Sequence, residues 1–230
     1  MGGKIRQTMH LLSRMTEATD QNIAVPHLMW DGPETARATL VLAHGSGQPM
    51  YSPFMESIAA GVAAERIRVG RFEFPYMARR RVTGRKSGPD RGPILCDTWR
   101  RVVADINSEV LVVGGKSMGG RVASMIADEV GATGLVCLGY PFHPPGKPEK
   151  LRTEHLTDLR TPAIFCQGER DTFGTRDEIT AFSLSSKIEF AWMPDGNHSF
   201  KPRKKSGFTY EQNMMAAIES VAAFVNVSVK

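Results

Sequence analysis

A short motif near the middle of the chain constrains the fold more than any other feature. Gly115-Lys116-Ser117-Met118-Gly119 comes directly after the apolar run Val110–Val113 and directly before a segment with helical periodicity. The two glycines allow a tight backbone turn that a side chain at either position would obstruct. This strand–turn–helix pattern predicts a nucleophile elbow, in which the Ser117 hydroxyl is exposed at the carboxyl end of a strand, beside the positive end of a helix.

Apolar runs alternate with helical patterns along the chain, which is typical of α/β proteins with a mostly parallel sheet. Several runs are continuous in Val, Leu, Ile and Ala, as in strands that are covered by helices on both faces. We predict about seven strands, at Ile23–Met29, Ala38–Ala43, Arg68–Phe74, Val110–Gly114, Gly134–Leu138, Ala163–Gln167 and Lys187–Met193. We predict helices near 53–66, 96–108, 118–130, 176–184 and 209–225. No repeat or linker divides the chain, so residues 1–230 are predicted to form one domain.

Two long segments interrupt this alternation, and we predict that both are irregular loops near a functional site. Tyr76–Ile94 is rich in Arg, Gly and Pro, and Tyr140–Pro162 is rich in Pro and Lys. The second segment is too short to fold into a helical cap over a pocket. We therefore expect an open site without a cap domain.

The composition excludes several classes of protein. A hydrophobic share of 41% and a charged share of 23% are typical of soluble globular proteins. No apolar run reaches 18 residues, so no membrane span is expected, and the charges within residues 1–30 do not fit a signal peptide. The three cysteines, Cys96, Cys137 and Cys166, are expected to be buried thiols in a reducing compartment, which predicts a cytoplasmic protein.

Candidate catalytic residues follow Ser117 in a consistent order. A serine is a good nucleophile only when a base takes its proton, and an acid must orient that base. Asp171 follows the strand Ala163–Gln167 and is the predicted acid, with Glu169 and Asp195 as alternatives. His198 is the predicted base because it alone among the six histidines follows the last predicted strand.

A second loop supplies candidate hydrogen-bond donors for a developing oxyanion. The strand that ends at Ala43 continues into His44-Gly45-Ser46-Gly47, where small residues leave the backbone accessible. We predict an oxyanion hole formed by the backbone N–H groups of Ser46 and Met118, with Gly47 as the alternative to Ser46. His44 is expected to brace this turn.

These four loops together resemble the α/β-hydrolase superfamily over nearly the whole chain. The layout without a cap is similar to the dienelactone-hydrolase-like branch, although dienelactone hydrolases use a cysteine nucleophile where this chain has Ser117. The motifs His44–Gly47, Gly114–Gly120 and Tyr140–Pro145 further resemble small bacterial serine hydrolases of unassigned substrate. The resemblance implies a three-layer α/β fold and cleavage of a carboxylic ester or thioester through an acyl-Ser117 intermediate.

The alternatives from other classes are weaker. A non-catalytic member of the fold could act as a scaffold or binding protein. Gly114–Ser117 matches the end of a phosphate-binding loop, but position 110 is Val where that loop requires Gly. No two histidines have the spacing of metal ligands, so neither a metal nor another cofactor is expected.

The net charge is +5, and 13 of the 29 basic residues lie in loops that are predicted to open on the catalytic face. The basic residues are Arg79, Arg80, Arg81, Arg85, Lys86, Arg91, Lys147, Lys150, Arg152, Lys201, Arg203, Lys204 and Lys205. This distribution predicts either an anionic small-molecule substrate, an acidic partner, or simply solvated charges, and nucleic-acid binding is not expected. The candidate substrate contacts are His44, Gly47, Arg79, Arg80, Arg81 and His143.

Overall fold

Seven strands form one sheet in the computed structural model, which describes residues 25–228. The strands, in chain order, are β1 (Leu28–Asp31), β2 (Ala38–Ala43), β3 (Arg68–Phe72), β4 (Val110–Lys116), β5 (Gly134–Leu138), β6 (Ala163–Gly168) and β7 (Ile188–Met193). Their order across the sheet is β1-β3-β2-β4-β5-β6-β7. β1 is antiparallel to β3, and every other neighbouring pair is parallel. The mostly parallel sheet predicted from the sequence is therefore confirmed.

Helices cover both faces of this sheet. They are α1 (Pro53–Ala64), α2 (Pro75–Thr83), α3 (Gly92–Ala104), α4 (Met118–Ile126), α5 (Arg176–Thr180) and α6 (Tyr210–Val227). Successive side chains of a strand point to opposite faces, so Leu40 and Leu42 pack in the core beneath α1 and α6. Val41 and Ala43 pack in the core beneath α3 and α4. The result is the three-layer α/β-hydrolase fold.

Two predicted elements differ most clearly from the structure. β1 begins at Leu28 rather than Ile23, and residues 23–24 lie outside the described residues. The prediction of an irregular loop over Tyr76–Ile94 is wrong, because α2 occupies 75–83 and α3 begins at Gly92. Pro75 lies in the first turn of α2, and Gly84 ends this helix in a left-handed conformation with φ 67°. The proline and the glycine therefore mark the two ends of a helix.

The segment after β5 forms no cap. Between β5 and β6, the structure contains only a 3₁₀ turn at Glu154–Leu156. The prediction of a site without a cap domain is thus confirmed for this described segment. Within residues 25–228, no helix is both long enough and apolar enough to cross a bilayer.

Candidate active site

Ser117 lies at a strained turn between β4 and α4. Its backbone has φ 53° and ψ −116°, a conformation that costs a non-glycine residue about 1–3 kcal/mol. The Ser117 N–H donates to the carbonyl of Leu138 at the end of β5, at 3.0 Å. Met118 follows at once as the first residue of α4. The turn therefore fixes the serine side chain between the carboxyl end of the sheet and a helix N-terminus.

Two glycines make this turn sterically possible. A Cβ atom added at Gly115 would lie 2.3 Å from the carbonyl oxygen of Ala43, and one added at Gly119 would lie at the same distance from that oxygen. Real Cβ atoms do not approach a backbone oxygen so closely. The close packing of β2 against the elbow thus requires both glycines, a reason additional to the tight turn considered in the sequence analysis.

The structure brings Ser117, His198 and Asp171 into one hydrogen-bonded chain. His198 Nδ1 lies 2.7 Å from Asp171 Oδ2, and His198 Nε2 lies 2.9 Å from Ser117 Oγ. Because the carboxylate can only accept, Nδ1 carries the ring proton and Nε2 is left to accept from the serine hydroxyl. Asp171 is fully buried.

The two alternative acids have other partners. Glu169 accepts from Arg176 at 2.8 Å and from the backbone N–H of Asp195 at 3.0 Å. Asp195 forms ion pairs with Arg203 and with Arg170. Neither carboxylate faces His198, so the geometry favours Asp171 as the predicted acid.

Two residues that the sequence analysis missed hold the acid and the ring in place. Gln167 is fully buried, and its amide donates to Asp171 Oδ2 at 2.9 Å. The Phe173 N–H donates to Asp171 Oδ1 at 2.9 Å, and the Phe173 ring lies 4.3 Å from the His198 ring. The position of Gln167 at the end of a buried strand, just before the predicted acid, was the available signal.

Lys116 links the elbow to the histidine loop. Its Nζ donates to the backbone carbonyl of His198 at 2.7 Å. Although Lys116 is partly exposed in the cavity, burial lowers the pKa of its ammonium group to about 7, while Asp171 opposes that shift. Burial also lowers the pKa of His198, with Asp171 raising it and Lys116 lowering it further. The imidazole is therefore neutral at neutral pH and can accept a proton.

A cavity of about 460 Å³ lies in front of Ser117 and is lined by Ser46, Gly47, Met118 and His198, among others. The Met118 N–H has no acceptor within its own helix, because it belongs to the first turn of α4. Ser46 and Met118, the two predicted oxyanion donors, thus line the same cavity as the serine. Gly47, the alternative, lines it as well.

His44 braces the loop that contains Ser46 and does not line the cavity. It is fully buried, its Nε2 accepts from the N–H of Phe74 at 3.1 Å, and its Nδ1 donates to the carbonyl of Gly45 at 2.7 Å. Burial lowers the pKa of His44 and keeps this ring neutral. The Tyr76 hydroxyl adds a hydrogen bond to the carbonyl of Ser46 at 3.0 Å.

The remaining predicted substrate contacts lie away from this cavity. Arg79, Arg80 and Arg81 are on α2, where Arg79 pairs with Asp90 and Arg81 with Glu73. His143 is buried, and its Nδ1 lies 3.0 Å from the carbonyl of Pro144. None of these four side chains lines the cavity in front of Ser117. The described residues also contain no cluster of three His, Cys, Asp or Glu side chains that could hold a metal ion.

The sheet, its flanking helices and the elbow after β4 define a protein of the α/β-hydrolase fold without a cap. A family model described as an alpha/beta hydrolase domain matches residues 36–226. The chain therefore belongs to this α/β-hydrolase family.

Solved structures with the same fold include bacterial hydrolases. One from Xanthomonas campestris, described as an α/β serine hydrolase without a lid, has a TM-score of 0.64 and 19% identity over 86% of this chain and 88% of that chain. An α/β serine hydrolase homologue from Coxiella burnetii has a TM-score of 0.64 and 18% identity over 86% and 90% of the two chains. A dienelactone hydrolase from Anabaena variabilis has a TM-score of 0.60 and 18% identity over 89% and 96%. The predicted resemblance in fold is confirmed.

Proposed function

We propose that the protein is a serine hydrolase that cleaves a carboxylic ester or a thioester through an acyl-Ser117 intermediate. The observation that carries this proposal is the hydrogen-bonded chain from Ser117 through His198 to Asp171, at 2.9 and 2.7 Å, facing a solvent-accessible cavity. Membership of the α/β-hydrolase family supports a hydrolase in general.

The first half of the proposed reaction forms the acyl-enzyme. As Ser117 Oγ attacks the carbonyl carbon, His198 Nε2 takes the hydroxyl proton and the carbonyl oxygen becomes an oxyanion. The backbone N–H groups of Ser46 and Met118 stabilise that charge. The intermediate then collapses, the C–O or C–S bond breaks, and His198 returns the proton to the leaving alcohol or thiol.

The second half releases the acid. His198 takes a proton from a water molecule, whose oxygen attacks the acyl-serine carbonyl at the same oxyanion donors. Collapse of this second intermediate breaks the bond to Ser117 Oγ and gives that oxygen its proton back. Asp171 stays ionised throughout and stabilises the imidazolium form of His198.

Turnover kinetics test the proposal. Purified protein should hydrolyse p-nitrophenyl acetate or a short-chain acyl thioester, and the Ser117→Ala variant should not. The folded state of the variant is checked by its circular dichroism spectrum and Tm. Absence of turnover by the wild-type protein on both kinds of substrate would favour the alternative, a non-catalytic scaffold or binding protein of the same fold.

We also propose that the chain is one domain in a reducing, cytoplasmic compartment. All seven strands belong to one sheet, which supports a single folding unit. Cys96, Cys137 and Cys166 are free and buried, as expected where thiols stay reduced. A single cooperative unfolding transition, and localisation of a tagged protein in the soluble cell fraction, would test these two points.

A further inference from the structure

Basic side chains line the cavity in front of Ser117. Lys116, Arg121 and Arg152 line it, and no Asp or Glu of the described part of the chain does so. The nearest buried carboxylate in the site, Asp171, is already bonded to His198 and Gln167. The cavity therefore contains positive charge that no described residue neutralises.

Arg121 lies one helical turn beyond the nucleophile. Its backbone N–H donates to the carbonyl of Ser117 at 3.0 Å, so both residues are on the same face of α4. The Nε atom of Arg121 is buried and has no hydrogen-bond partner, and its guanidinium forms no ion pair with any described residue. Burying an unpaired donor of a charged group is costly, so a partner is expected from outside the described residues.

Arg152 reaches the same cavity from the loop after β5. The backbone on either side of its side chain is fixed, because its N–H donates to Phe142 and its carbonyl accepts from the Tyr140 hydroxyl, both at 2.8 Å. Its guanidinium also lacks an ion pair within residues 25–228. Burial lowers the pKa of Arg152, and the charge of Arg121 lowers it further, so the two cations lie close enough to repel each other.

Other arginines of the protein have the acidic partners that Arg121 and Arg152 lack among the described residues. Arg100, on the outer surface of α3, pairs with Glu129 at 2.6 Å, and Arg71, on the buried strand β3, pairs with Asp31 at 2.9 Å. The two cavity arginines instead line one open cavity and have no acidic partner among the described residues. Guanidinium groups that lack a counterion bind carboxylate and phosphate groups well, because their N–H donors can form paired hydrogen bonds with two oxygens.

We propose that Arg121 and Arg152 form an anion subsite that binds a carboxylate or phosphate group of the substrate beside Ser117. That the bound anion is part of a substrate rests on the proposed function, whereas the existence of the anion subsite does not depend on it. The four-residue step from Ser117 to Arg121 corresponds to a helical rise of only about 6 Å. An anionic group bound by Arg121 therefore lies a few bonds from the scissile carbonyl. The substrate class is thus a short acyl ester or thioester that carries a negative charge.

A pair of esters tests the subsite in the intact enzyme. p-Nitrophenyl hemisuccinate carries the carboxylate, and in p-nitrophenyl 4-methylpentanoate an isopropyl group of similar shape replaces it. We expect Arg121→Met and Arg152→Met each to lower kcat/KM for the hemisuccinate by about 10- to 100-fold, the loss typical of a charge-assisted hydrogen bond, while the neutral ester changes by less than about threefold. Arg37→Met, which removes an exposed arginine at the opposite end of the sheet, is the matched control and should alter neither ester. Equal losses on both esters, or no loss on either, would overturn the inference.

A binding measurement separates this inference from the proposed function. In the Ser117→Ala background, calorimetric titration with p-nitrophenyl hemisuccinate and with p-nitrophenyl phosphate shows whether a carboxylate or a phosphate is preferred. Binding of at least one probe should weaken by about tenfold or more when either arginine is also replaced by Met. If the wild-type protein hydrolyses no ester but this arginine-dependent binding is present, the proposed function fails and the anion subsite stands. If both probes bind equally well with and without the arginines, the subsite is wrong even for an active esterase.

Discussion

The two sides of the catalytic cavity are built in different ways. The elbow, Gly115–Gly119, is fixed by backbone geometry, since its glycines lie against the carbonyl of Ala43 and Ser117 is held in a strained conformation. The opposite side consists of two loops, after β6 and after β7, which present Asp171 and His198. Side chains from other segments, including Gln167 and Lys116, add to the backbone hydrogen bonds that hold these loops.

This contrast shows why one side was easier to identify than the other. Five consecutive residues determine the elbow, so a sequence pattern contains most of its structure. The loop side depends on contacts between residues far apart in the chain, such as Lys116 with His198. Substitutions should therefore have different consequences on the two sides: steric disruption at the elbow, and loss of alignment or altered titration in the loops.

The largest expected loss of activity comes from substituting Ser117 or His198, which hydrogen-bond to each other from the two sides of the cavity. Ser117→Ala and His198→Ala should each lower kcat by about a millionfold, and the double variant should lose little more, because nucleophile and base act as a unit. Steady-state kinetics on p-nitrophenyl acetate measure all three variants. Clearly additive losses would mean that the elbow and the loops do not cooperate in one reaction.

The next effect lies wholly within the loops. Asp171→Asn should leave the fold intact but place His198 in the wrong tautomer, with a loss of about 10⁴-fold in kcat. The control is Asp177→Asn, since Asp177 is an exposed residue in the first turn of α5 and lies outside the cavity. Near-normal activity of Asp171→Asn would transfer the acid role to Glu169 or Asp195.

At the elbow, the expected effect is on stability. Gly119→Ala places a Cβ against the Ala43 carbonyl, and such overpacking costs about 1–3 kcal/mol, or several °C in Tm. Gly47→Ala is the matched control, because a Cβ at Gly47 would meet no atom within 4 Å. Thermal unfolding of both variants measures the difference, and equal Tm values would contradict the steric account of the elbow.

The smallest effect concerns Lys116. The acid limb of the kcat/KM pH profile reports the pKa of the base in the free enzyme. Because burial and Lys116 lower the pKa of His198, the midpoint of this limb should lie below pH 6.5. Lys116 has a pKa of about 7, so it is charged in this range, and Lys116→Met should move the limb to higher pH. The rate on the plateau should fall by less than about tenfold, the contribution of one hydrogen bond.

Lys187→Met, which removes an exposed lysine before β7, is the control for this pH profile and should leave it unchanged. If the midpoint of the acid limb is unchanged in Lys116→Met, or moves to lower pH, then Lys116 does not act on His198 through its charge.

Much of the fold was predictable because its strands are continuous apolar runs. β2, β5 and β6 lie within one residue of their predicted bounds for this reason. The α2 helix was not predicted, since its run of three arginines between Pro75 and Gly84 looks like a polar loop. Only the packing of Tyr76 and Met77 into the core shows that this segment has a buried face.

In the site, the order of Ser117, Asp171 and His198 was readable, whereas the relevant charges were not. The sequence drew attention to Arg79, Arg80 and Arg81 because they are adjacent, yet two of these three have acidic partners and none lines the cavity. Arg152 was among the basic residues predicted on the catalytic face, but Arg121, on α4, was not, and only the folded protein brings both to one cavity. Whether an arginine has a counterion depends on the tertiary structure, and the number of charged residues in a segment does not reveal it.

Reaction with a fluorophosphonate tests the central claim, an activated Ser117, most directly. Peptide mapping of the labelled protein should find the phosphonyl adduct on Ser117 alone, and labelling should be lost in Ser117→Ala and be strongly slowed in His198→Ala. An adduct on another residue, or equally fast labelling of Ser117 without His198, would contradict the account.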